Sequence, residues 1–163
     1  SACVDMGYAT LDTAALRFAI PEKTVVDYPV RIGGRPYNIT CVDMGNPHCV
    51  VFCPRVDAVD MDFIGPRFER APYFPERINT EFIRVVNPNT IKMRVWERGS
   101  GETLACGTGA CAAVVAAVAN GLCSKGSDVT VRVRGGDLVV NYTDERVTLT
   151  GDAKLVFTGE VEY

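Results

Sequence analysis

The chain has 163 residues, of which 47% are hydrophobic and 23% charged, values that call for a packed core and exclude an intrinsically disordered chain. Its net charge of −3 comes from 17 basic and 20 acidic residues, scattered rather than striped, which leaves no electrostatic case for nucleic acid or an anionic membrane. The longest apolar run, Ala110 to Ala119, is too short to cross a bilayer, and no charged segment followed by an apolar stretch marks the start for export.

Short apolar runs bounded by Gly, Pro, Asn and Asp predict strands at Val4–Ala9, Thr24–Ile32, Tyr37–Asp43, Cys49–Cys53, Glu81–Val86, Ile91–Glu97, Val129–Val133, Leu138–Tyr142, Val147–Thr150 and Lys154–Val161. Asn87-Pro-Asn-Thr90 and Arg134-Gly-Gly-Asp137 read as hairpin turns, so the sheet is expected to be mostly antiparallel. A first helix is expected over Asp62–Arg70, capped by Asp62 and cut short by Pro66. A second runs from about Thr108 to Asn120 and stops at Gly121. It is apolar around its whole circumference and must be enclosed on all sides. The class is therefore α+β: a mostly antiparallel sheet wrapped around a central apolar helix. Cys-Val-Asp-Met-Gly occurs at 3–7 and again at 41–45, an echo too short to establish a duplication. The opening Ser1-Ala-Cys, without an initiator Met, reads as a piece that begins mid-protein.

The seven cysteines are odd in number and contain no CxxC pair, which favours reduced thiols in a cytoplasm over a disulfide framework. With His48 as the single histidine, no ligand set for a structural zinc presents itself. For Cys49, Cys53, Cys111 and Cys123 the expected role is core filling. Cys106 differs: it sits between a glycine-broken loop and the buried helix, flanked by Gly107 and Gly109. The free N–H groups of Gly107, Thr108 and Gly109 can meet an anion there, and the helix N-terminus is expected to lower the thiol pKa. Glu97 follows Ile91, Met93 and Val95 on one strand face, so its carboxylate either points inward to a partner or is solvated at the strand end. His48, in the turn Asn46-Pro-His48, is either a structural hydrogen-bonder or a base.

Three segments together resemble diaminopimelate epimerases: Gly45-Asn-Pro-His-Cys-Val, Phe74-Pro-Glu-Arg-Ile-Asn79, and the long block from Trp96-Glu-Arg-Gly-Ser-Gly through Leu104-Ala-Cys-Gly-Thr-Gly-Ala-Cys-Ala. The resemblance spans the chain and implies a cofactor-free isomerase that interconverts LL- and meso-diaminopimelate with two acid–base thiols. It implies that Cys106 is the second of these, and that the N–H groups of Gly107 and Thr108 hold the α-carboxylate. Asn46, Asn79 and Arg98 would hold the distal carboxylate and Glu97 the distal ammonium, with His48 and Glu97 also helping to set the protonation of the thiols. Proline racemases and phenazine-biosynthesis isomerases fit the Glu97-Arg98 and Asn46-Pro-His blocks less well.

The family's first half, with its own cysteine, has no counterpart in this sequence. Residues 1–163 are thus expected to be one domain, the carboxy-terminal half. Lys154–Tyr163 is expected to belong to a sheet of the other half, and a homo-oligomer is expected. Two other classes remain open: a cysteine hydrolase or acyltransferase using Cys106 and His48, for which no third orienting group is visible, and a non-catalytic anion-binding module.

Overall fold

A computed structural model describes all 163 residues. In chain order the elements are β1 (Ala2–Asp5), β2 (Tyr28–Ile32), β3 (Arg35–Asp43), β4 (Pro47–Phe52), α1 (Met61–Glu69), β5 (Asn79–Asn87), β6 (Thr90–Glu97), β7 (Gly101–Thr103), α2 (Gly107–Ala119), β8 (Asp128–Val133), β9 (Gly136–Tyr142) and β10 (Val147–Gly151). Short 3-10 turns lie at Ala14–Leu16 and Val56–Ala58. All strands join one sheet in the order β1-β10-β9-β8-β6-β5-β4-β3-β2, with β7 paired onto β6. Pairing is antiparallel except for β4 with β5 and β6 with β8, each joined by a crossover that carries a helix.

Alternation along the strands splits the interior into two cores, one on each sheet face. Val42, Val50, Ile83, Met93, Val95, Val131 and Val140 point at α2, whose residues Ala110 to Ala117 are all buried. The sheet therefore curls around this helix, as its fully apolar circumference requires. Ile39, Cys41, Cys49, Val51 and Phe82 face the other way, onto Met61, Ile64 and Phe68 of α1. The α+β class with a central apolar helix is the observed architecture.

Several boundaries differ from expectation for local reasons. The cap of α1 is Asp60, not Asp62, since its carboxylate accepts the N–H of Phe63 at 3.2 Å. Pro66 lies inside α1 without ending it. The run from Thr24 becomes a strand only at Tyr28, because Asp27 takes a left-handed φ of 49°. β1 stops at Asp5, where Asp5 Oδ1 accepts the N–H of Gly7; Asp43 Oδ1 does the same for Gly45. The repeated Cys-Val-Asp-Met-Gly is thus one strand-to-turn device used twice. β7 was not foreseen; at three residues it carries no periodicity. Lys154–Val161 is not a strand: residues 152–163 make no hydrogen bond to the rest of the chain, and Leu155, Val156, Phe157 and Val161 are each at least 80% exposed. β10, the strand before them, already has β9 on one edge and β1 on the other.

Candidate functional site

Cys106 is the N-cap of α2, with an extended backbone, and its Sγ accepts the N–H of Gly109 at 3.3 Å. The N–H of Ala110 returns to the carbonyl of Cys106. Gly109 therefore spends its donor on its own helix, and only the N–H groups of Gly107 and Thr108 remain without a partner in the chain. The flanking glycines also have packing reasons the sequence did not reveal. A Cβ on Gly109 would stand 2.7 Å from Glu81 Oε1, and one on Gly107 would stand 3.0 Å from Leu149.

The neighbouring β3–β4 turn and β5 bring polar groups up to this helix end. His48, fully buried, lies within hydrogen-bond distance of Glu81 Oε1 through Nδ1 (2.7 Å) and of Thr108 Oγ1 through Nε2 (3.0 Å). Asn46 donates from Nδ2 to Thr108 Oγ1 at 3.2 Å, and its Oδ1 is 3.1 Å from His48 Nε2. Thr108 Oγ1 is in turn 3.6 Å from Cys106 Sγ. Cys106, Thr108, His48, Asn46 and Glu81 thus form one connected set. Sequence reading missed Glu81, although the signal was there: it shares the alternating face of Ile83, which points at α2.

The expected lowering of the Cys106 pKa is not what this environment gives. Burial pushes the thiol up, the carboxylates of Glu81 and, more weakly, Glu97 add to that, and the hydrogen bonds from Thr108 and Gly109 only partly oppose them. Of the other cysteines, all but Cys3 behave as core. Cys41, Cys49, Cys111 and Cys123 are buried; burial drives Cys111 up to about 12 and half-buried Cys53 to about 11. Cys3, on β1, is exposed.

Glu97 ends β6, half-buried, and accepts the hydroxyl proton of Thr103 from β7. It is neither wholly inward nor solvated. Arg98 opens the β6–β7 turn; its backbone N–H donates to Asn79 Oδ1 at 2.8 Å and its guanidinium to the carbonyl of Glu76 at 3.2 Å. Asn79, buried, also donates to the carbonyl of Pro47, so it ties the His48 strand to the Arg98 turn. Glu69 of α1 supports the same turn from beneath, accepting from Trp96 Nε1 and from the N–H of Gly99, both at 2.9 Å. Burial alone would raise Glu69, but these bonds and Arg77 hold its carboxyl below the ordinary range. Sequence gave no signal for Glu69, because a glutamate in a short helix looks like a solvated one.

No helix is long and apolar enough to cross a membrane, and no three His, Cys, Asp or Glu side chains converge as metal ligands. The arrangement offers a thiol beside two free backbone N–H groups, with a carboxylate at the end of β6 and a guanidinium on the turn that follows. Glu81 is the third orienting group that a cysteine–histidine hydrolase would want, yet the Thr108 hydroxyl stands between Sγ and Nε2.

The sequence model of the diaminopimelate epimerase family matches residues 40–156. A curated diaminopimelate epimerase of Nostoc punctiforme is 48% identical over 162 residues, covering 97% of this chain and 57% of the relative. One from Pelotomaculum thermopropionicum is 50% identical over 161 residues, covering 98% and 57%. The chain spans a little over half the length of these relatives. Among solved structures, a probable proline racemase from Agrobacterium radiobacter superposes with a TM-score of 0.56 at 14% identity, over 76% of this chain and 46% of that one. A predicted epimerase from Pseudomonas aeruginosa gives 0.51 at 19% identity, over 96% and 58%. At those identities the likeness is one of fold.

Proposed function

The chain belongs to the diaminopimelate epimerase family, and from that membership we propose that it is the carboxy-terminal half of an isomerase of lysine biosynthesis. The intact enzyme interconverts LL- and meso-diaminopimelate in the cytoplasm without pyridoxal phosphate or metal. The observation that carries this is Cys106 capping α2 beside the unpartnered N–H groups of Gly107 and Thr108. An α-carboxylate on those donors would set the α-carbon near Sγ, and the same donors would receive charge as the α-proton leaves.

Inversion takes a proton from one face of the α-carbon and returns one to the other, so a second thiol is needed opposite Cys106. It comes from the amino-terminal half, which forms the other wall of the cleft. Asn46, Asn79 and Arg98 bind the distal carboxylate and Glu97 the distal ammonium; the charges are complementary, and the β6–β7 turn is braced by Glu69. His48 and Glu97 help to set thiol protonation. Lys154–Tyr163 joins a sheet of the other half, which accounts for its apolar, unpaired state here. Docked halves then associate as a homo-oligomer.

Deuterium incorporation tests the chemistry. In deuterium oxide, the chain joined to an amino-terminal half should epimerise diaminopimelate and load deuterium at the α-carbon with no added cofactor. Turnover that needs pyridoxal phosphate or a metal, or product free of deuterium, would rule the two-thiol reaction out.

A further inference from the structure

Resting on the assignment of Cys106 as an acid–base thiol, we propose that Glu81 is a positioning residue: it holds the His48 proton on Nδ1, so that Nε2 is open to take the Cys106 proton through the Thr108 hydroxyl. With His48 neutral, the hydrogen-bond directions close in one sense. Glu81, as a carboxylate, accepts, so Nδ1–H of His48 is the donor at 2.7 Å. Nε2 is then a lone pair, and Thr108 Oγ1–H donates to it at 3.0 Å. The hydroxyl oxygen in turn accepts from Asn46 Nδ2 and from the thiol of Cys106. As Sγ–H passes its proton to Thr108, Thr108 passes its own to Nε2. The products are a thiolate, an unchanged hydroxyl and an imidazolium, with no change of oxidation state. The new Nε2–H faces Asn46 Oδ1, 3.1 Å away, which in the neutral state has no donor there.

Two independent observations give Glu81 this role. Both its side chain and that of His48 are wholly buried, and Glu81 Oε2 has no hydrogen-bond partner, so the imidazolium formed by the proton transfer is the charge that would compensate it. The helix also makes room for it: residue 109 must lack a Cβ for Glu81 Oε1 to stand where it does. The groups facing Cys106 are Glu81 from β5, Glu97 from β6, and Thr108 and Cys111 from α2, with His48 of β4 reached through Thr108, while Met6 and Leu149 pack against the neighbouring Gly107. Glu81 is thus the carboxylate that can act on the thiol through the histidine.

The sign of its effect separates positioning from mere proximity. A bare negative charge beside a thiol suppresses the thiolate, so removing it would speed alkylation; a carboxylate that supports an imidazolium counter-ion does the reverse. In a Cys3→Ser background, the iodoacetamide rate at Cys106 is followed by peptide mapping from pH 6 to 10. Nitrogen-15 NMR of the single histidine reports its tautomer. Expected are a protonated Nδ1 with unprotonated Nε2 at neutral pH, and alkylation at pH 7 about tenfold slower in both Glu81→Gln and Thr108→Val, one pKa unit of thiolate. Faster alkylation in Glu81→Gln, or an unchanged rate in Thr108→Val, would overturn the proposal. Should Glu81→Gln not fold, the parent's tautomer still decides: a histidine protonated only on Nε2 contradicts it. Neither readout needs turnover, so the epimerase reading and this one can fail separately.

Discussion

At the scale of single residues, the site combines groups with movable protons and groups with fixed charge. Cys106, Thr108 and His48 belong to the first kind, while Glu97 ends β6 and Arg98 opens the turn after it, which Asn79 and Glu69 brace. The charge of a distal carboxylate does not change during proton transfer at the α-carbon. Arg98→Ala in the two-part enzyme should therefore raise KM by about 10- to 100-fold, the worth of a charge-assisted hydrogen bond, and leave kcat within about threefold. Steady-state kinetics check this, and a hundredfold fall in kcat at constant KM would take Arg98 out of the binding role. Cys106 was legible in the sequence because its glycine-flanked loop is local. Its raised pKa was not, since burial of the thiol, the larger cause, is a property of the folded chain, and Glu81, 25 positions away, comes near only when β5 packs against α2.

At the scale of elements, composition was a sound guide where one environment rules a whole segment. α2 was legible because every residue from Ala110 to Ala119 is small or apolar, and only full enclosure suits such a helix. The α1 cap was misplaced by two residues because Asp60 and Asp62 are equivalent in pattern; only the bond from Phe63 distinguishes them. Asp60→Ala should lower stability by about 1 kcal/mol, or roughly 2–4 °C in melting temperature, whereas Asp62→Ala should change little. Thermal unfolding of both variants reads this directly, and the opposite ranking would restore Asp62 as the cap. Within α2, Cys111 is a thiol driven up to about 12, against about 8.5 in an unfolded chain. Above that lower value the folded state binds more protons than the unfolded one, so stability should fall as pH rises from about 8.5 towards 12. At pH 10 the loss from Cys111 is about 2 kcal/mol, and Cys111→Ala should remove that part of the slope in urea unfolding. Equal slopes in the two proteins would show that the thiol is not buried as described.

At the scale of the whole molecule, one sheet serves two cores and yet leaves features that its own packing does not use. The N–H groups of Gly107 and Thr108 point at nothing in the chain, Leu104 beside them is 67% exposed, and the apolar tail of residues 152–163 is unpaired. The strand expected over Lys154–Val161 was misread because alternating apolar residues say that a segment can pair, not with which edge. The ten-strand order was equally hidden, since β1 joins β10 from the opposite end of the sequence. The most direct measurement is α-carbon deuterium exchange and epimerisation of diaminopimelate by the 163-residue chain, alone and mixed with a separately expressed amino-terminal half. Expected are no activity alone, turnover on mixing, and a loss of about 10²–10⁴-fold when the mixed chain carries Cys106→Ala. Robust epimerisation by the chain alone, or by the mixture with Cys106→Ala, would contradict a reaction that needs one thiol from each half.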